Sequence, residues 1–251
     1  MEKERIGVHA AKSNNSELLS QLCENPLTIN AAYVAARTGQ LDILQWLHNK
    51  GAPWDEKVID KAIAGRQEKV IDWLYEKGLV QPDIKEMITA VFDGDINTLN
   101  CLSRNGCPWN AQIFTIAAGL DLEKVQWLFE HDCPRDESAC AQAAWNGQLN
   151  ILQWLREYDV PWDEFTCSGA AHGGHLTILQ WAREHGCPWN EETCNDAAAE
   201  GYLDILAWAH DHGCPWSAMT CAWASEGADP DKILPWLREH GCPYDPKVFL
   251  A

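Results

Sequence analysis

The phrase Gly-Cys-Pro-Trp recurs along this chain inside a unit of about 27 residues, which reads Ala-Ala-x-x-Gly-x-Leu-x-Ile-Leu-x-Trp-Leu-x-x-x-Gly-Cys-Pro-Trp-Asp/Asn. Self-similarity at a fixed period constrains the fold before any single residue does. A unit this short cannot bury a core alone, so its copies must stack. The tryptophan of Leu-x-Trp-Leu marks the copies at Trp46, Trp73, Trp127, Trp154, Trp181, Trp208 and Trp236, with Cys101 and Gln21 in the same slot of two others. The markers stand 25 to 28 residues apart. That makes about nine copies, the terminal ones degenerate because one face of each meets water.

Nine residues after each marker comes Asn30, Asp55, Asn110, Asp136, Asp163, Asn190, Ser217 or Asp245, and Asp83 follows one step late. Side-chain oxygens of these types accept the orphan amides of a first helical turn. Each unit therefore opens a first helix here. That helix passes through a small pair, such as Ala143-Ala144 or Ala170-Ala171. It stops at a glycine (Gly39, Gly94, Gly147, Gly174, Gly201, Gly227), a residue that adopts the left-handed conformation ending many helices. The second helix carries Leu-x-Ile-Leu-x-Trp-Leu, a broad apolar stripe suited to packing on several neighbours. It also ends at glycine, except that Asp132 and Asp159 take that place in two copies, and aspartate tolerates left-handed backbone better than most residues. A proline then prevents continuation. No segment alternates with the two-residue period of a strand.

The net charge is −18, from 37 acidic against 19 basic residues. Such a surface repels phosphate backbones and attracts a basic partner. The expected partner is therefore a basic protein, with nucleic acid excluded. No run approaches the ~18 apolar residues of a membrane span, so no membrane is expected. The charged start, Met1-Glu2-Lys3-Glu4-Arg5, lacks the apolar core of a signal peptide, which points to a cytoplasmic monomer. In that setting the 11 cysteines stay reduced and pack as small hydrophobes.

The segment Ala170-Ala171-His172-Gly173-Gly174-His175-Leu176-Thr177-Ile178-Leu179-Gln180-Trp181 resembles the ankyrin repeat, and the resemblance runs along almost the whole chain. It departs from that family in period, about 27 against 33, and in lacking Thr-Pro-Leu-His. Cys-Pro-Trp stands where the family builds its β-hairpin finger. This looks like the short, Trp-rich ankyrin-like repeats of giant viruses and some protists. The resemblance implies an all-α solenoid of stacked helix-turn-helix repeats without β-hairpin fingers, a single domain over residues 1–251. It also implies a non-enzymatic protein-binding scaffold, in host cytoplasm if the source is viral. An adaptor for a ubiquitin ligase and a self-associating structural component are the other readings.

The marker tryptophans are expected in the core. The turn aromatics Trp54, Trp109, Trp162, Trp189, Trp216 and Tyr244 are expected to form a ladder over the seams between repeats. Cys187/Cys194 and Cys214/Cys221 stand seven apart, but no Cys-x-x-Cys occurs, so no metal is expected. There is no phosphate loop, no Gly-x-Ser-x-Gly elbow and no His-Glu-x-x-His, so neither an enzyme nor a cofactor is indicated. The resemblance places the two variable slots of Ala-Ala-x-x-Gly in a concave groove. Its candidate partner-binding residues are Arg37, Thr38, Phe92, Asp93, Trp145, Asn146, His172 and Glu200. An exposed aromatic among polar neighbours, such as Trp145, is a typical hot-spot arrangement.

Overall fold

A computed structural model describes residues 29–51 and 55–243. Among them are sixteen α-helices and no strand. They come as eight pairs: α1 (Ile29–Thr38) with α2 (Leu41–Asn49), α3 (Lys57–Ala64) with α4 (Glu68–Glu76), α5 (Ile84–Asp93) with α6 (Ile96–Arg104), α7 (Ala111–Ala118) with α8 (Leu122–Glu130), α9 (Ser138–Trp145) with α10 (Leu149–Glu157), α11 (Glu164–His172) with α12 (Leu176–Glu184), α13 (Glu191–Ala199) with α14 (Leu203–Asp211), and α15 (Ala218–Glu226) with α16 (Pro230–Glu239). The expected first copy around Gln21, the turn residue Trp54, and Tyr244 with Asp245 lie outside the described residues.

The chain divides into two compact units, Met1–Trp109 and Asn110–Ala251. In the first, α3 packs between α1 and α5. In the second, α7, α9, α11, α13 and α15 pack one against the next, each with its own second helix behind it. The small pairs explain the close approach of first helices: Ala35, Ala36, Ala143, Ala144, Ala170, Ala171, Ala197 and Ala198 are fully buried. The Ile and Leu of the second helices, such as Ile151, Leu152, Leu155, Ile205 and Leu206, fill the space between the two rows. Burying each such side chain stabilises the stack by about 1.5–3 kcal/mol.

The expected caps form. Asp55, Asp83, Asn110, Asp136, Asp163, Asn190 and Ser217 each accept a backbone amide two or three residues on. At Asp83 the bond is reciprocal, because buried Glu86 accepts the Asp83 amide in return. Asn30 instead lies within the first turn of α1. Each cap of this kind contributes about 1 kcal/mol. Asp132 and Asp159 both have φ +55°, as the replacement of glycine requires. Two expectations fail here. Gly94 and Gly227 are extended, at φ −80° and −79°, and end their helices without a left-handed turn. Both precede an Asp-initiated second helix that starts from an extended residue or turn, so no reversal of hand is needed.

The marker tryptophans also need correction. Trp73 and Trp127 are buried, but Trp46, Trp154, Trp181, Trp208 and Trp236 are only half-buried. Ile and Leu already fill the interior, so the indoles lie on the outer side of the second helices. There they join the turn tryptophans in a ladder. Trp162 meets Trp181 edge-on at 6.0 Å, Trp189 meets Trp208 at 6.0 Å, and Trp216 meets Trp236 at 5.9 Å. Arg156 and Arg183 lie over Trp162 and Trp189 at 4.5 and 4.1 Å, and His210 takes that place on Trp216. His185, His212 and His240 stack on the marker rings one helical turn before them, at 4.0–4.3 Å. Each also donates from Nδ1 to its tryptophan's carbonyl oxygen at 2.8 Å, closing the helix end.

The cysteines close each helix pair. Cys187, Cys214 and Cys242, in the turns after α12, α14 and α16, donate to the backbone carbonyls of Asp163, Asn190 and Ser217, the residues that cap α11, α13 and α15, at 3.3–3.4 Å. The sevenfold spacing of Cys187/Cys194 and Cys214/Cys221 is not what meets in space. Cys167 contacts Cys187, Cys194 contacts Cys214, and Cys221 contacts Cys242. Seven positions separate a turn from the interior of the next helix, whereas about twenty return the chain to the first helix of the same pair.

Candidate functional site

In the unit Asn110–Ala251 the first helices lie side by side, so their residues at equal register form rows. Trp145 ends α9 and is 51% exposed. His172 ends α11, and its ring meets the indole of Trp145 edge-on at 5.2 Å between centroids. Asp196 and Glu200 stand one turn apart on and just after α13, hence on one face. His172 Nδ1 lies 3.7 Å from Asp196 Oδ1 and 3.7 Å from Glu200 Oε1. These distances exceed a hydrogen bond, and become ion contacts when the imidazole is protonated. Burial pushes the Asp196 carboxyl up to about 6, against the lowering effect of His172, and Glu192 and Glu200 reinforce the rise.

Two glycines of α11 shape the floor. A Cβ at Gly169 would stand 2.9 Å from the carbonyl oxygen of Ala141, and one at Gly173 would stand 2.2 Å from that of Trp145. Their absence lets α11 approach the backbone of α9. His175 Nε2 then donates to the same Trp145 carbonyl at 3.1 Å. The backbone of Trp145 is thus held from two sides while its ring stays open to solvent. The result is a cavity of about 440 Å³ lined from four successive first helices: Thr115 of α7, Gln142 and Trp145 of α9, Phe165, Ser168, Gly169 and His172 of α11, and Asp196 of α13. Glu137, Ser138, Ala141 and Asp163 complete its wall.

Of the sequence-predicted residues, Trp145, His172 and Glu200 come together. Asn146 turns its amide back to the Gln142 carbonyl at 2.9 Å and closes its own helix. Arg37, Thr38, Phe92 and Asp93 are exposed at the ends of α1 and α5, in the unit Met1–Trp109, and none lines the cavity. Thr38 donates its hydroxyl to Val34 within α1. Sequence reasoning missed Phe165, which is 57% exposed, and Asp196. The signal was available: Phe165 lies two turns before His172 and Asp196 one turn before Glu200, so both share a face with a variable slot.

Burial raises Cys133 to about 11 and Cys140 to about 12, away from the thiolate that nucleophilic or metal chemistry uses. Among the described residues no three His, Cys, Asp or Glu side chains gather as metal ligands. No described helix is long and apolar enough to cross a membrane.

This arrangement defines the class: an α-helical repeat protein whose helix pairs stack layer on layer. No family model and no curated protein matches the chain. Among solved structures it is similar to the pentatricopeptide repeat protein PPR10 in complex with an 18-nt psaJ RNA element, with TM-score 0.48 and 12% identity. The match covers 98% of this chain and 44% of that one, so the chain spans less than half of that protein's length. A cysteine-to-serine variant of the same complex matches to the same degree. The likeness is one of fold. The exclusion of nucleic acid does not stand as read from charge alone, and the similar structures are themselves complexes with RNA. Net charge sums a whole surface, whereas single-stranded RNA is also held by stacking and by hydrogen bonds to base edges.

Proposed function

We propose that the chain is a non-enzymatic scaffold of short ankyrin-like repeats that holds an extended polypeptide segment across the first-helix face of residues 110–251. One observation carries this reading. Trp145 stands half exposed over a cavity built from four successive first helices, at a position where the repeat itself does not dictate a tryptophan. Core and ladder residues recur in each copy because packing requires them; Trp145 meets no such requirement. An aromatic ring ringed by polar groups in a concave site is the usual anchor of a protein contact.

The rest of the slot residues fit the same role. Arg37, Phe92 and Asp93 offer a second set of exposed side chains in the unit Met1–Trp109. The repeat phase continues through residue 109 without an insertion, which supports reading residues 1–251 as one repeat domain.

A displayed library of short disordered peptides, panned on the full chain and on Trp145→Ala/His172→Ala, tests the proposal. Peptides enriched on the parent and lost on the double variant are the expected result. If every enriched peptide binds both chains equally, the groove is not the binding face. A pool of single-stranded RNA put through the same selection decides the class of ligand. Groove-dependent RNA without groove-dependent peptide would replace this reading.

A further inference from the structure

The cavity at Trp145 pairs open aromatic rings with carboxylates and supplies no strong cation of its own. Trp145 and Phe165 are 51% and 57% exposed. Glu137, Asp163 and Asp196 line the same space, and neither lysine nor arginine does. Asp163 is already engaged, since its side chain accepts the Phe165 amide at 3.1 Å. Asp196 is not: among the described residues its close basic neighbour is His172, at 3.7 Å. On the other side of the repeats, Arg156 and Arg183 sit over Trp162 and Trp189, so this chain's own indoles accept guanidinium groups as partners. Among the described residues no guanidinium lies over the Trp145 indole of the groove.

We infer that this cavity seats an arginine side chain of the bound polypeptide, its guanidinium stacked on Trp145 or Phe165 and paired with Asp196. The inference rests on the groove reading above. Arginine fits better than lysine for physical reasons. Its plane stacks on an aromatic face, it is weakly hydrated, and its fork matches a carboxylate with two parallel bonds. The space of about 440 Å³ exceeds one side chain and leaves room for the backbone that carries it.

A cation at Asp196 would also offset the burial that raises this carboxyl to about 6. The groups facing Asp196 are His172, Glu192 and Glu200. Toward acid, protonation of Asp196 removes the counter-ion. Binding therefore weakens as pH falls through about 6.

The test uses the full chain and the groove-dependent peptides from the selection described above. Arginine should recur at one peptide position. Its replacement by citrulline, a neutral isostere, or by lysine should weaken binding by about tenfold or more in fluorescence anisotropy. Asp196→Asn should cause a similar loss, and Asp196→Glu should restore part of it. Circular dichroism on each variant separates lost binding from lost folding. Groove-dependent peptides without arginine, equal binding of the lysine form, or binding indifferent to Asp196→Asn would each overturn the inference and leave the groove scaffold standing. A selection that returns no groove-dependent peptide overturns both.

Discussion

Cys187 donates its thiol to the backbone carbonyl of Asp163 at 3.3 Å, while the Asp163 side chain accepts the Phe165 amide at 3.1 Å. The residue that starts a first helix is thus held by the turn that ends the second helix of the same pair. Cys187 is fully buried. Cys187→Ala removes a donor and leaves a small void, and we expect a loss of about 1–2 kcal/mol. Cys187→Ser retains a donor and should lose less. Urea unfolding followed by circular dichroism ranks the two; equal losses would mean that the void alone matters.

Glycines at the two helix ends of a repeat differ in what surrounds them. Gly147 has φ +75°, and a Cβ there would stand 2.8 Å from the His175 ring. Gly186 has φ +83° with nothing within 4 Å. Gly186→Ala should cost only the left-handed backbone penalty, about 1 kcal/mol. Gly147→Ala should cost more, because His175 must also leave the Trp145 carbonyl. Thermal unfolding of the two variants gives the difference directly, and a smaller loss at Gly147 would contradict it.

Asp159 offers the opposite change. It occupies φ +55° where other copies place glycine. Asp159→Gly should stabilise the chain by about 0.5–1 kcal/mol, the left-handed cost of a non-glycine residue less the added freedom of the unfolded glycine. A lower urea midpoint would show that the Asp159 side chain makes a compensating contact.

Asp196 predicts a pH dependence. Its folded pKa of about 6 lies above the ordinary value of 3.8. Between these values the folded chain keeps a proton that the unfolded chain has released. Its contribution to stability is therefore greatest in acid and is lost as pH rises through about 6. The side chain is 32% exposed, so solvent screening limits the effect to about 1 kcal/mol or less. The urea midpoint of Asp196→Asn should lack this slope. An unchanged slope would assign it to other groups.

The sequence displayed the frame more clearly than the site. Caps at Asp83, Asn110, Asp163, Asn190 and Ser217 were legible because one backbone need selects few residue types. Asp132 and Asp159 were legible as left-handed positions for the same reason. The marker tryptophans misled, since recurrence signals packing but not depth, and Trp181 packs against Trp162 and His185 at the surface. Asp95 and Asp121, which cap α6 and α8, escaped notice because the other second helices open without such a cap. The helical spacing of Phe165 and Asp196 from the variable slots was legible, but the meeting of three separated segments in one hollow follows only from the packing of α9, α11 and α13.

Each rung of the outer aromatic ladder spans two consecutive second helices, its arginine or histidine carried by one and its marker tryptophan by the next. Arg183, Trp189, Trp208 and His212 form one such set, and Arg156, Trp162, Trp181 and His185 the one before. Disturbance along such a structure decays with distance in units of whole repeats. A lesion at Trp208 is therefore contained: the layers carrying Trp145 keep their shape while the far end loosens. The outer face insulates the inner one from mutational damage, and the groove is free to diversify.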